Sequence, residues 1–130
     1  MRTYLIDGTN VVRGGAYDPR FPDVEEARTA KLLGRLSALA APYLESIRVE
    51  VFFDGPRRPV VSVDPPVHVR FPIDGHADTA ILGTARRVLS SGRGVVVVTG
   101  DGALADEVLE EGGRVMGLGE LERRLRERKA

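Results

Sequence analysis

The chain has no cysteine and no glutamine, a single asparagine, Asn10, and only two lysines, Lys31 and Lys129. Without cysteine there is no disulfide framework, no thiolate zinc site and no cysteine nucleophile. No apolar run approaches the roughly 18 residues of a membrane-crossing helix. The first residues open directly into a strand-like segment, not the basic and then apolar stretch of a signal peptide. The expected setting is cytoplasmic, with no membrane partner. An excess of charge of one sign is also missing. Nineteen basic side chains balance nineteen acidic ones, so net charge argues neither for nor against a nucleic-acid partner. Arginine supplies seventeen of the nineteen basic residues. Few amides and many charges fit a hot-living host or, equally, a high-GC genome.

What is present is an ordinary globular composition, 42% hydrophobic and 29% charged over 130 residues. That is enough for one domain, 1–130, and too little for a second. Short apolar runs alternate with helical patterns. Residues 4–6 form a strand-like run ended by Asp7-Gly8, and a stretch with Gly14, Gly15, Pro19 and Pro22 follows. Asp23 with Glu26 three residues on is a capping-box-like pair opening a helix. Val24, Ala27, Leu32, Leu36, Leu39 and Tyr43 recur along that helix, and Pro42 kinks or ends it. Residues 47–53 predict a second strand, 56–66 a proline-rich loop and 67–71 a third strand. Residues 77–89 predict a helix. The four valines at 95–98 predict a strand buried on both faces. A helix through Leu104, Val108 and Leu109, a short strand near Val115 and a charged helix from about Glu120 complete the pattern. This alternation predicts an α/β, three-layer, Rossmann-like fold with a mostly parallel sheet flanked by helices.

Three of the apolar runs end directly in Asp-Gly, at Asp7, Asp54 and Asp101. In an open parallel sheet the strand ends share one edge, where ligands bind near the point of strand-order reversal. Asp78, at the start of the helix after the third strand, can reach the same edge. Asp-Gly is also a common turn, and Asp74-Gly75, following Pro72, is left as one. Clustered carboxylates repel, so some are protonated or a cation is bound. Hard oxygen ligands suit Mg2+ or Mn2+, as one ion or two, and such sites serve phosphodiester hydrolysis. Asn10 caps the segment after Asp7 or orients a metal-bound water or phosphate. His76 reads as a helix-start residue.

The segments Tyr4-Leu5-Ile6-Asp7-Gly8-Thr9-Asn10-Val11-Val12, Val51-Phe52-Phe53-Asp54-Gly55, Ala77-Asp78 and Val96-Val97-Val98-Thr99-Gly100-Asp101 resemble, in order, those of YacP-like NYN-domain proteins, within the PIN-like nucleases. The resemblance runs from residue 4 to about 118. It implies a metal-dependent ribonuclease whose acids are Asp7, Asp78 and Asp101, with Asp54 matching the second-strand motif. Thr79 stands where relatives often carry a second acid, and Ala103 where many carry one after the third aspartate; Asp106 is a possible substitute.

Basic residues fall in the segments expected to flank the acidic edge. Arg13 and Arg20 follow the first strand, Arg57 and Arg58 the second, and Arg86 and Arg87 share the helix of Asp78. Arginine grips phosphate bidentately, although part of this set reads equally as solvated helix face. Tyr17 and Phe21 either stack unpaired bases or anchor their loop. The tail, with Arg123, Arg124, Arg126, Arg128 and Lys129, is a solvated face or an RNA or ribosome contact. A haloacid-dehalogenase-like phosphatase fails because Leu5 and Thr9 occupy the partner positions two residues either side of Asp7. A receiver-like phosphoacceptor fails because neither lysine is well placed. The non-enzymatic alternative is an RNA-binding module of the same fold that has lost turnover.

Overall fold

A computed structural model describes residues 1–14 and 16–128. Gly15 and the tail's Lys129 lie outside the described residues. Five strands, β1 (Arg2–Asp7), β2 (Ile47–Phe52), β3 (Val67–Arg70), β4 (Val95–Val98) and β5 (Arg114–Met116), form one sheet in the order β3-β2-β1-β4-β5. Every pairing is parallel. The helices are α1 (Gly8–Arg13), α2 (Pro22–Ala40), α3 (Ala77–Ser90), α4 (Gly102–Glu110) and α5 (Leu118–Arg126). Strand alternation sorts the side chains into two cores. Tyr4, Ile6, Val49, Val51, Val96 and Val98 face α2 and α5. Leu5, Phe52, Val95 and Val97 face α3 and α4. All four valines of β4 are buried, as the run predicts; each contributes roughly 1.5–3 kcal/mol.

Two details depart from the sequence reading. The segment after Asp7 is not simply a turn, because α1 begins at Gly8. The pair at Asp23 and Glu26 makes no capping box. Pro22 occupies the first turn, the helix starts one residue earlier, and Phe21 stands at the cap with no side-chain hydrogen bond; proline's fixed φ suits that position. Beyond α2, Ala41–Tyr43 is a single 3-10 turn. No helix joins β2 to β3. Residues 53–66 make that crossover as a loop, with Val60 and Val63 packed on the α2 side of the sheet.

The β1–α1 junction lies against β2. A Cβ on Gly8 would come within 2.7 Å of Phe53 Cε1 and 2.8 Å of the Phe52 carbonyl oxygen. The backbone oxygen cannot swing aside, so Gly8→Ala forces the junction apart. We expect a loss of about 1–3 kcal/mol, read as a lower urea midpoint with an unchanged slope. An unchanged midpoint would show that the junction has room to spare.

Candidate functional site

β1, β2 and β4 end at one edge, and the register brings their following residues level. Ile6 pairs with Val98, which sets Asp7 beside Thr99. Asp7 itself pairs with Phe52, two residues before Asp54. Asp7 is only 6% exposed. Thr99 Oγ1 donates to Asp7 Oδ2 at 2.9 Å and accepts from the Asp101 amide at 3.0 Å. One hydroxyl thus links two of the aspartates. Asp101 Oδ1 caps α4, accepting from the Ala103 and Leu104 amides at 2.9 and 3.3 Å.

Asp54 caps a helix that begins 23 residues later, beyond β3. Its Oδ1 accepts from the Ala77 amide, the first of α3, at 2.9 Å, and its own amide donates to Thr9 Oγ1 at 2.8 Å. The Asp54-Gly55 and Asp74-Gly75 turns touch, the Gly55 amide donating to the Gly75 carbonyl at 3.1 Å. Gly75 holds φ at +77°, and Asp74 Oδ1 accepts from the His76 amide, so Asp74 serves the turn. His76 stands at the cap of α3 without a side-chain cap bond. Asp78 is exposed in the first turn of α3, its Oδ1 accepting from the Thr79 amide at 2.8 Å. Asn10 Oδ1 accepts from the Gly100 amide at 2.8 Å, tying α1 to the β4–α4 loop instead of capping its own segment.

Asp7, Asn10, Asp54, Asp78 and Asp101 line one open cleft of about 600 Å³, with Arg13 and His76 on its wall. Burial pushes the Asp7 carboxyl above the usual aspartate range. The Thr99 hydrogen bond opposes this, and repulsion from Asp54, Asp101 and Asp78 adds to it. Among the described residues, none of these four carboxylates has an ion-pair partner. They share a cleft but do not form a closed ligand cage. Among the described residues, no three His, Asp or Glu side chains are grouped as a ready-made metal site. Asp7, Asp78 and Asp101, the acids the resemblance implies, thus line one cleft together with Asp54. Asp54, Asp78 and Asp101 each commit one oxygen to a backbone amide at a helix start.

The sequence model of the YacP-like NYN domain matches residues 4–130. The chain belongs to the YacP-like NYN domain family. Membership in this branch of the PIN-like nucleases carries a nuclease-type, RNA-related function. Two crystal structures of Rae1 (YacP) from Bacillus subtilis, one of a tryptophan-to-leucine mutant, share the fold. Their TM-scores are 0.70 and 0.68, at 23% and 22% identity for the wild type and the mutant. Each alignment covers 98% of this chain, and 75% and 76% of the respective Rae1 chains. No curated protein matches the chain.

In this NYN domain most of the expected arginine rim is already engaged. Arg13 lines the cleft, but its Nε donates to Glu25 at 3.1 Å and its guanidinium lies 3.7 Å from the Tyr17 ring centroid. Arg20 is paired with Asp18 at 2.8 Å, which holds that carboxyl below its ordinary range. Arg58 donates to the carbonyls of Asp54 and Pro56 and so braces its own loop. Arg86 pairs with Glu111 beyond the C-terminal end of α4, away from the carboxylate cleft. Of the four loop arginines, Arg57 and Arg58 have no acidic partner among the described residues, and Arg58 is held by backbone carbonyls. Tyr17 and Phe21 are both exposed, so neither anchors its loop in the core. Asp106 is exposed on α4 and does not line the cleft. Sequence reasoning missed Thr9 and Thr99, whose hydroxyls position Asp54 and Asp7; a threonine just beyond a strand, next to an aspartate motif, was the available signal.

Asp7 provides a signed test of this electrostatics. A carboxyl whose folded pKa is raised favours the fold while neutral. That contribution is full below the ordinary aspartate range, about pH 4, and is lost as pH rises through the raised value. Asp7→Asn keeps an acceptor for Thr99 and carries no charge. In metal-free buffer at neutral pH it should melt roughly 2–5 °C higher than the parent, the shift expected for about 1 kcal/mol in a chain of this size. The gap should close toward pH 3. A variant that melts lower at pH 7 would show that the buried charge is not a burden.

Proposed function

We propose that this domain is a ribonuclease that hydrolyses phosphodiester bonds in single-stranded or otherwise accessible RNA, ribosome-bound RNA included, with Mg2+ or Mn2+ at the carboxylate cleft. The observation that carries this reading is the group of four aspartates without cationic partners in one open cleft, one of them buried and resisting ionisation. The donor chemistry fits a hard dication that keeps several waters and takes one or two carboxylates directly. Asp7 and Asp101 would hold it, with Asp78 and Asp54 reaching its hydration shell. A second ion finds no further acid, because positions 79 and 103 are threonine and alanine. When bound, the ion supplies an acidified water and neutralises phosphoryl charge.

The chain's own groups divide the remaining work. Thr99 fixes the orientation of the Asp7 carboxylate through Oδ2, leaving Oδ1 without a hydrogen-bond donor among the described residues. Asn10 has its Oδ1 tied to the Gly100 amide, so its NH2 group is what it offers the cleft. Among acceptor-only carboxylates it is a neutral donor suited to a phosphoryl oxygen. This gives the single asparagine a role that aspartate cannot fill.

The missing cage favours one other reading, an RNA-binding module of the same fold without turnover. Cleavage of a mixed RNA pool separates the two. The parent protein should produce fragments with Mn2+ and none with EDTA. Asp7→Asn should lower the rate by roughly 100-fold or more while binding RNA as well or better, since one repulsive charge is gone. RNA binding without fragments in Mn2+ would establish the binding module. Undiminished cleavage by Asp7→Asn would remove Asp7 from the chemistry.

A further inference from the structure

A second cleft, of about 570 Å³, runs between α3 and the β2–β3 side of the sheet. It meets the carboxylate cleft across the first turn of α3, where Asp78 lines one and Thr79 the other. The turn before α3 is divided in the same way, with Pro72 and Ile73 on the second cleft and Gly75 on the first. Its helical wall is the stripe Thr79, Gly83 and Arg87, four residues apart. That stripe is about 12 Å long at 1.5 Å per residue. Gly83 keeps the wall open, since a Cβ there would meet only the Arg87 guanidinium, at 4.0 Å.

The charge of this groove is opposite to that of its neighbour. Arg57 and Arg87 line it, both exposed and without acidic partners among the described residues; Arg87 donates only to Thr84 Oγ1. Arg70 donates to Glu50 Oε1 at 2.9 Å, and Arg48 donates to Oε2 of the same buried carboxylate at 3.3 Å. Two guanidiniums on one carboxylate leave a positive surplus. Burial and the two arginines together hold the nearby His68 imidazole below its ordinary pKa, against the pull of Glu50. At the mouth, Ile73 is wholly exposed, an apolar side chain in a place that packing does not explain.

We propose that this arginine groove seats the RNA strand on one side of the cleaved bond, with Arg57, Arg70 and Arg87 on successive phosphates and Ile73 against a base. This rests on the ribonuclease reading. An RNA strand is favoured over an acidic polypeptide because the groove continues into the carboxylate cleft. A phosphodiester backbone has a reason to cross between them, since its next linkage is the one to be cut. Phosphate contacts with an apolar platform are also how single strands are held without regard to sequence.

The test is fluorescence anisotropy of a labelled single-stranded RNA of mixed sequence over a salt series in EDTA, so that binding is read without turnover. The exposed positions allow Arg57→Ala with Arg87→Ala as a double variant. Gly83→Glu places a carboxylate in the groove while replacing a helix glycine, a change that does not weaken the helix. The double variant should bind roughly tenfold more weakly, and its log-affinity slope against log salt should flatten by about 1.4, at 0.7 per phosphate contact. Gly83→Glu should weaken binding at least as much with an unchanged melting temperature. Arg93→Ala, an exposed charge loss past the far end of α3, should leave affinity and slope as they were. Unchanged RNA affinity in both groove variants, or tighter binding of labelled poly-glutamate than of RNA by the parent, would overturn the groove and leave the nuclease reading standing. RNA binding by the parent without fragments in Mn2+, alongside a loss of RNA affinity in the groove variants, would do the reverse.

Discussion

The acidic edge depends on the place where the sheet reverses its order. From β1 the chain builds outward to β2 and β3 on one side and resumes with β4 and β5 on the other. The α1–α2 segment leaves β1 for one face of the sheet, and α4 leaves β4 for the other. A crevice opens between such diverging connections. The hydrogen bond from Thr99 to Asp7 spans that boundary between residues 92 positions apart in sequence. It holds a carboxylate where burial disfavours its charge, and the rest of the cleft is arranged around it.

Around Asp7 the other acids combine structural work with charge. Asp101 caps the helix that follows it, and Asp54 caps α3 from another strand. These contacts place negative charge at helix N-termini, where the backbone favours it, so both acids are accommodated by the fold without a cationic partner. The same contacts each engage one carboxylate oxygen, and no closed ligand cage forms among the described residues. The cleft is thereby suited to a hydrated ion and an exchanging substrate more than to a permanently held structural metal. The arginines complement this division. Those beside the acids are tied to Glu25, Asp18 or backbone carbonyls, whereas those with spare charge lie across the α3 turn in the neighbouring groove.

The layered fold was legible because its signals are periodic. The valines of β4, the alternation along β1 and β2, and the apolar stripe of α3 each report burial residue by residue. The shared edge of Asp7, Asp54 and Asp101 followed from strand direction alone. The remaining features depend on pairings between distant residues, which periodicity does not encode. Glu25 is twelve residues from Arg13, and Glu111 is twenty-five from Arg86, so neither arginine's engagement could be read locally. The α1 helix escaped because the six residues after Asp7 carry too little period to outweigh a turn signal. The groove joins positions from residue 50 to residue 87, and only the packing of β3 beside β2 brings Arg70 to Glu50.

The central claim is that one divalent cation is held at the C-terminal end of β1 by aspartates that have no other cation. Trace Mn2+ added to isotope-labelled protein tests this directly, because its paramagnetism broadens nearby amide resonances. The account predicts early, selective loss of the Gly8, Asn10, Gly75 and Asp101 amide signals, with Ser91 and Glu111 at the opposite edge unaffected. It also predicts recovery of those signals when excess Mg2+ is added. Broadening that begins at the acidic residues of α4 and α5, or that spreads evenly over the surface, would contradict it.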